Sequence, residues 1–309
     1  MPHDWAMRYL GFGRESGQGV QAEPTLFADP VSVEIHTVED ELLRTSVSSR
    51  FALGKFPGPR RVEGEVEVLM GPDAPTVALL EMLLGRLNVN ELAGYRRYVV
   101  SPVEVGENPV TYTLELVADG HARAFVGVVC DSIRMEVRPD EPVSVRATLL
   151  GLEEREGMVR TPNFARQHPV SPHSATCLLG GVPVELEELT LSVENDLSKD
   201  HYVIGSRTLR AHELGRFSVT GSFSVRFRDR SHLERFLRSE ETAMTVRFSA
   251  GTIDGVNERY VLLEMPRIAY SSWRCEVKPA ERLVQEVEFT AFRSADGRPP
   301  IRFEVQTEE

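Results

Sequence analysis

Cysteine is scarce: the 309 residues hold three, Cys130, Cys177 and Cys275, far apart and with no C-x-x-C pair. That argues against a disulfide framework or a structural zinc site, and buried or idle thiols are expected. Aromatic residues are also few, at 7%, and Trp5 and Trp273 are the two tryptophans. No apolar run approaches the roughly 20 residues that span a bilayer, so no membrane contact is expected. The start, Met1-Pro2-His3-Asp4-Trp5, lacks the basic region and apolar core of a secretory signal, and folding in a cytoplasm is expected. Lysine occurs at Lys55, Lys199 and Lys278 alone; the other basic side chains are arginine. Acids outnumber bases, giving a formal net charge of -12, with 22 acids and 14 bases in residues 1–150 and 25 and 21 in the rest. A chain this acidic is a poor candidate for gripping nucleic acid through its phosphates, but it can handle DNA by repelling it.

Signatures of catalysis are missing too. No two of the eight histidines sit at helix spacing on an expected helix, and His168 and His173 fall in a proline-rich stretch, so no metal or other cofactor is expected. The glycines of Gly11–Gly19 lack the Gly-Lys-Ser/Thr ending of a phosphate loop and the strand and helix of a dinucleotide loop. A flexible N-terminal arm is expected there instead. Glu63, Glu65 and Glu67, with Glu286 and Glu288, offer paired carboxylates. A glycosidase, however, sets such a pair in an aromatic-lined cleft, and regular alternation fits a solvated sheet face better. No catalytic residue is assigned.

What is present is β pattern. Val62, Gly64, Val66 and Val68 alternate with the three glutamates; Leu189, Leu191 and Val193 alternate with Thr190, Ser192 and Glu194; Val287, Phe289 and Ala291 alternate with Glu286, Glu288 and Thr290. Period two puts apolar side chains on one face. Turn signals lie at Asp119-Gly120, Gly180-Gly181 and Asp254-Gly255. Two helices are expected. One runs from Ala74 to about Leu87, apolar all round and so buried or packed between subunits; the other starts at Ser231, with Ser231 and Glu234 in a capping-box pattern.

The chain also repeats itself. V-x-G-x-[VF]-x-V occurs at Val62–Val68 and at Val219–Val225, and Ser49-Arg50 recurs as Ser206-Arg207, both 157 residues on. Each copy continues with a helix, a strand, a D-G turn, an E-V-[RK]-P element (Glu136–Pro139, Glu276–Pro279) and an alternating strand. The organisation expected is an N-terminal arm 1–24, a first domain 25–152, a linker 153–173, a second domain 174–293 and a C-terminal arm 294–309. The first domain carries an insertion near 88–109, either a projecting loop or hairpin or a surface insertion without a role. Charge and proline in the linker argue against strand pairing there. Arg226, Arg228, Arg230, Arg235 and Arg238 form a basic stretch, read as an inter-subunit salt-bridge strip ahead of a nucleic-acid contact.

The run Val184–Asn195, then Ile204-Gly205-Ser206-Arg207 and Val219-Thr220-Gly221-Ser222-Phe223, together with Gly13–Gly19 near the start, resembles two-domain bacteriophage tail tube proteins. The resemblance implies a mainly β fold of two tandem β-sandwich or barrel domains, each with a flanking helix. It implies a structural virion protein, made and assembled in the host cytoplasm, whose rings stack into a conduit for DNA. The resemblance points to stacking contacts in residues 1–30, 88–109 and 293–309, and to tape-measure, terminator and distal-hub proteins as neighbours. DNA would pass without specific binding. Glu63, Glu65, Glu67, Glu286 and Glu288 are the lumen candidates, with outside solvent as the other possible setting. Two domains per chain imply a trimeric ring of pseudo-sixfold appearance. Its intersubunit strand pairing would match the pairing across the linker. Another tail component, such as a distal hub or terminator, is the near alternative, and a carbohydrate-binding β protein the distant one.

Overall fold

A computed structural model describes residues 8–118, 120–164, 167–276 and 283–308. It is mainly β. The first half holds β1 (Tyr9–Arg14), β2 (Leu26–Ala28), β3 (Ser32–Ser46), β4 (Ser49–Leu69), helix α1 (Ala74–Leu84), β5 (Gly85–Leu92), β6 (Tyr95–Pro102), β7 (Tyr112–Ala118), β8 (His121–Val137), β9 (Ser144–Gly151) and β10 (Glu153–Glu156). The second holds β11 (Ala175–Leu179), β12 (Val182–Pro183), β13 (Leu186–Glu194), β14 (Ser218–Arg226), helix α2 (Ser231–Leu237), β15 (Thr242–Thr252), β16 (Glu258–Glu276), β17 (Val284–Ala291) and β18 (Arg302–Thr307).

One antiparallel sheet crosses the whole molecule in the order β3-β4-β9-β8-β13-β14-β17-β16. Its four strands from each half meet where β8 pairs with β13, Met135 facing Leu191 and Ile133 facing Val193. Alternation sets its two faces. Ile35, Val62, Val66, Ala147, Ile133, Met135, Leu191, Val219, Phe223 and Phe289 are buried and form one core with α1. Such a side chain contributes roughly 1.5–3 kcal/mol when fully buried.

A second layer lies over that core. The first part of β8 pairs with β7 and β10, and β7 with β1. The first part of β16 pairs with β15 and β18. Both long strands change layers at a bulge, Cys130/Ser132 in β8 and Tyr270/Ser272 in β16, 140 residues apart. A bulge bends a strand and raises its twist, which lets one strand serve two sheets.

Helix α1 starts at Asp73, whose carboxylate accepts from the Thr76 amide at 2.9 Å, and it stops at Gly85, in left-handed conformation at φ 85. Every residue from Pro75 to Leu84 is buried. The capping box expected at α2 does not form: Ser231 is the first helical residue, and its amide donates to Asp229 instead. Asp229 sits two residues upstream, where an Asx turn brings its carboxylate to the helix start.

Several expected loose segments are built into sheets. Residues 9–14, expected in a flexible arm, are strand β1 with Leu10 and Phe12 fully buried. Glu15 then accepts from the Gly19 and Gly127 amides and from the Thr111 and Thr113 hydroxyls, a fixed carboxylate among four donors. Glu153–Glu156, expected unpaired, form β10 on the edge of β8. Charged side chains suit that edge, and Arg123 grips Glu154 with two hydrogen bonds. The insertion is the hairpin β5–β6, and β6 pairs with β18, so a first-half hairpin completes a second-half sheet. Ile301, Phe303 and Val305 of the expected C-terminal arm are buried.

The glycines of the repeated motif occupy matching tight places. A Cβ on Gly64 would lie 2.6 Å from the Glu34 carbonyl, and one on Gly221 would lie 2.7 Å from the Thr190 carbonyl. Gly64→Ala and Gly221→Ala are each expected to destabilise by about 1–3 kcal/mol, since a backbone carbonyl in a sheet has nowhere to move. Thermal unfolding should show both midpoints lowered by about 2–8 °C; an unchanged midpoint in either variant would contradict the packing argument.

Candidate assembly surfaces

The face of the main sheet opposite the core is polar across its central rows, with Leu69 and Leu150 at its margins. Glu67, Arg146, Arg134, Ser192, Thr220 and Thr290 stand side by side across six strands. The next row reads Ser144, Glu136, Thr190, Ser222, Glu288 and Ser272. Glu188, Ser224, Glu286 and Arg274 follow. All five candidate acids share this face, brought together from strands β4 and β17.

Its arginines are held by carboxylates. Arg146 lies 3.4 Å from Glu65 and 3.1 Å from Glu67, Arg134 lies 2.8 Å from Glu136, and Arg274 lies 3.1 Å from Glu288. The Ser144 hydroxyl and Arg146 keep Glu67 below the usual carboxylate range. Exposed pairs of this kind add little stability, but they leave these guanidiniums already engaged.

One end of the face is covered. The chain between β13 and β14 folds back over the first half, burying Leu197 and Leu209 against Val129, Leu150 and Leu152. Asn195 is buried and its amide donates to the carbonyls of Leu83, at the end of α1, and Cys130. Arg207 reaches the Gly58 carbonyl and Glu39. Glu63 sits at this margin, paired with Arg61. The Ser-Arg match is thus structurally unequal, since Ser49-Arg50 opens β4 at a hairpin tip.

That hairpin is the feature the sequence reading missed. β3 and β4 run on past the sheet as a two-stranded ribbon closed by Ser46 opposite Ser49. Leu42, Leu43, Val47, Phe51, Leu53 and Phe56 are all more than half exposed on it. The signal was available: Glu41–Phe56 carries large apolar residues between charged ones, around a serine-rich centre, Ser46-Val47-Ser48-Ser49, that makes the turn.

The basic stretch is engaged within the chain. Arg226 pairs with Glu187, Arg228 with Glu185, and Arg238 with Glu234 and Glu240. Arg235 donates to the Tyr270 hydroxyl, while Arg230 occupies the N-cap position of α2. Among the described residues no group of three or more His, Cys, Asp or Glu is placed to hold a metal. No described helix is long and apolar enough to cross a membrane.

A comparison with curated proteins finds no match. A family model described as phage tail tube protein matches residues 5–291. Matched over nearly its whole length, the chain, mainly β in its fold, belongs to the phage tail tube proteins, a family of structural phage tail components.

Proposed function

We propose that this chain is a ring-forming subunit whose rings stack into the tail tube and let DNA pass to the host. The observation that carries this reading is the eight-strand sheet with two open ends. Among the described residues β3 has β4 as its one strand partner, and β16 has no strand on the outer side of Ser272–Cys275. Two unpaired edges on one sheet invite pairing with another chain.

The two halves act as two copies of one unit, residues 25–152 and 174–293. The β8–β13 pairing within the chain is then the same contact that joins one chain to the next. Such a heterologous contact repeats around an axis and closes into a ring. Three chains supply twenty-four strands, and at roughly 4.8 Å per strand the wall is about 115 Å around before tilt widens it. Barrels of about 16–18 strands already hold an aqueous channel, so this one is ample for a conduit. The polar face lines the channel, with the acids Glu65, Glu67, Glu286 and Glu288 turned to it and Glu63 at its rim.

Stacking falls to the ribbon formed by residues 41–57. Strands β1, β5, β6 and β18, which lie in the segments that were first candidates from sequence, spend their backbone hydrogen bonds inside the subunit's own sheets. Tape-measure, terminator and distal-hub proteins would meet the tube at its ends.

Native mass spectrometry of a single ring is expected to give three chains, and a tube reconstruction six similar lobes per layer. Six full chains per ring would refute the alternation of halves.

A further inference from the structure

We propose a specific residue register for the joint between neighbouring copies, with Ile35 opposite Cys275, His36 opposite Arg274 and Thr37 opposite Trp273. This rests on the ring reading above, and goes beyond it by naming which atoms meet. The register comes from the joint that the chain already makes within itself.

Two offsets carry it. In β3, Ile35 faces Gly64 of β4; in β13, Leu191 faces Gly221 of β14. Gly64 and Gly221 make the same backbone approach, to the carbonyl just before Ile35 and just before Leu191. β3 therefore corresponds to β13, with Ile35 in the place of Leu191. On the other side, Ile133 faces Ala147 and Met135 faces Val145, while Trp273 faces Val287 and Cys275 faces Gln285. With the shared bulge at Cys130/Ser132 and Tyr270/Ser272, β16 corresponds to β8, with Cys275 in the place of Met135. Since Leu191 faces Met135, Ser192 faces Arg134 and Val193 faces Ile133, the same contact between copies gives the three pairs named.

Burial supports the transfer. At the internal joint Leu191, Met135, Ile133 and Val193 are all buried. Of their counterparts at the free edges, Ile35 is already buried against the core, Trp273 and Cys275 are half-buried, and Thr37 is exposed. Trp273 already packs its inner side on the core and donates its indole N–H to Gln285 at 2.9 Å. A second copy would cover the remaining side. A slip of one residue would turn every one of these side chains to the wrong face. At the β3 edge the side chains of Arg123 and Glu154 make the nearby contacts, to the Ile35 carbonyl and the Thr37 hydroxyl, and these can swing aside for a strand.

Cysteine pairing reads the register directly. Facing residues of antiparallel strands have Cα atoms roughly 4.5–5.5 Å apart, inside disulfide reach, whereas a two-residue slip puts them at about 7 Å or more. His36→Cys with Arg274→Cys lies on the polar face and leaves the core untouched. Ile35→Cys alone tests the other face against the native Cys275. His36→Cys with Ser272→Cys is the slipped control. After oxidation of assembled protein, the first two variants are expected to give reducible covalent multimers that stop at three chains, at least fivefold more than the control. Equal or stronger cross-linking in the slipped pair overturns the register while the ring stands. Rings seen by electron microscopy without cross-linking in either expected pair overturn it likewise. A chain that stays monomeric and forms no rings overturns both the register and the ring reading.

Discussion

Replacing Leu42–Phe56 by Asn-Gly is expected to leave a folded, ring-forming protein that no longer builds tubes. Glu41 and Pro57 face one another across the ribbon, so a two-residue turn can close it there. The removed residues contribute nothing to the core: Leu42, Leu43, Phe51, Leu53 and Phe56 are each exposed by more than half. Nor do its ion pairs matter much, because Lys55 and Glu41 are both largely solvated. The thermal midpoint should therefore move by less than about 2 °C. Assembly is different. An isolated two-stranded ribbon is marginal in water, and one bearing six large apolar side chains is suited to a partner surface. Burying them against an adjacent ring would supply on the order of 5–10 kcal/mol of gross stabilisation per chain, before the cost of ordering the ribbon. The proposed trimeric ring would present three such ribbons and multiply that term, so its loss should be decisive. Electron microscopy after induced assembly checks the outcome. Normal tubes from the shortened chain would move stacking to another surface; Phe51→Ser with Phe56→Ser, which keeps the ribbon, should show the same defect in weaker form.

The β character was legible because half-buried strands alternate. Val62–Val68, Leu189–Val193 and Val287–Ala291 all lie in the main sheet, in β4, β13 and β17. Helix α1 was legible from an apolar run with proline in its first turn, although it ends at Gly85 rather than near Leu87, because Gly85 takes a left-handed φ and the chain leaves as β5. What sequence could not reveal was pairing between distant segments. Nothing local in Arg302–Thr307 says that it bonds to Tyr95–Pro102, or that Tyr9–Arg14 bonds to Tyr112–Ala118. Charge misled at Glu153–Glu156, where a short edge strand tolerates four charged residues because its side chains reach solvent or Arg123. Glycine misled at Gly11 and Gly13: a Cβ there would lie within 3 Å of Pro24 or the Glu23 carbonyl, so close approach, not flexibility, explains them. The candidate acids were legible as a solvated face through their period of two. That Glu65 and Glu67 share Arg146 needed the register between β4 and β9.

Reversing charge on the polar face is expected to slow DNA passage without preventing assembly. Glu65→Lys with Glu286→Lys changes two positions on different strands, one in each half, and each such position would recur three times around the proposed trimeric ring. Each substitution adds two positive charges per chain, so one ring gains twelve. Within a channel the wall lies close to the duplex, inside or near the roughly 8 Å over which charges act at physiological salt. In the proposed channel a phosphate approaching this wall would meet carboxylates and arginines already committed to Glu65, Glu67, Glu136 or Glu288. Repulsion would keep it off the surface, and the guanidiniums of Arg134, Arg146 and Arg274 are already paired instead of open to the charge-assisted contact that would hold it. Lysines would each offer a phosphate contact, repeated at every ring, and a milder variant, Glu65→Gln with Glu67→Gln, would release Arg146 to do the same. Ejection measured in single particles should slow by about tenfold or more for the lysine variant and less for the glutamine one. The difference should shrink as salt rises, since phosphate contacts weaken steeply with ionic strength. Tubes of normal dimensions that eject DNA at the native rate in both variants would show that the charge of this face does not govern passage, whatever the ring is made of.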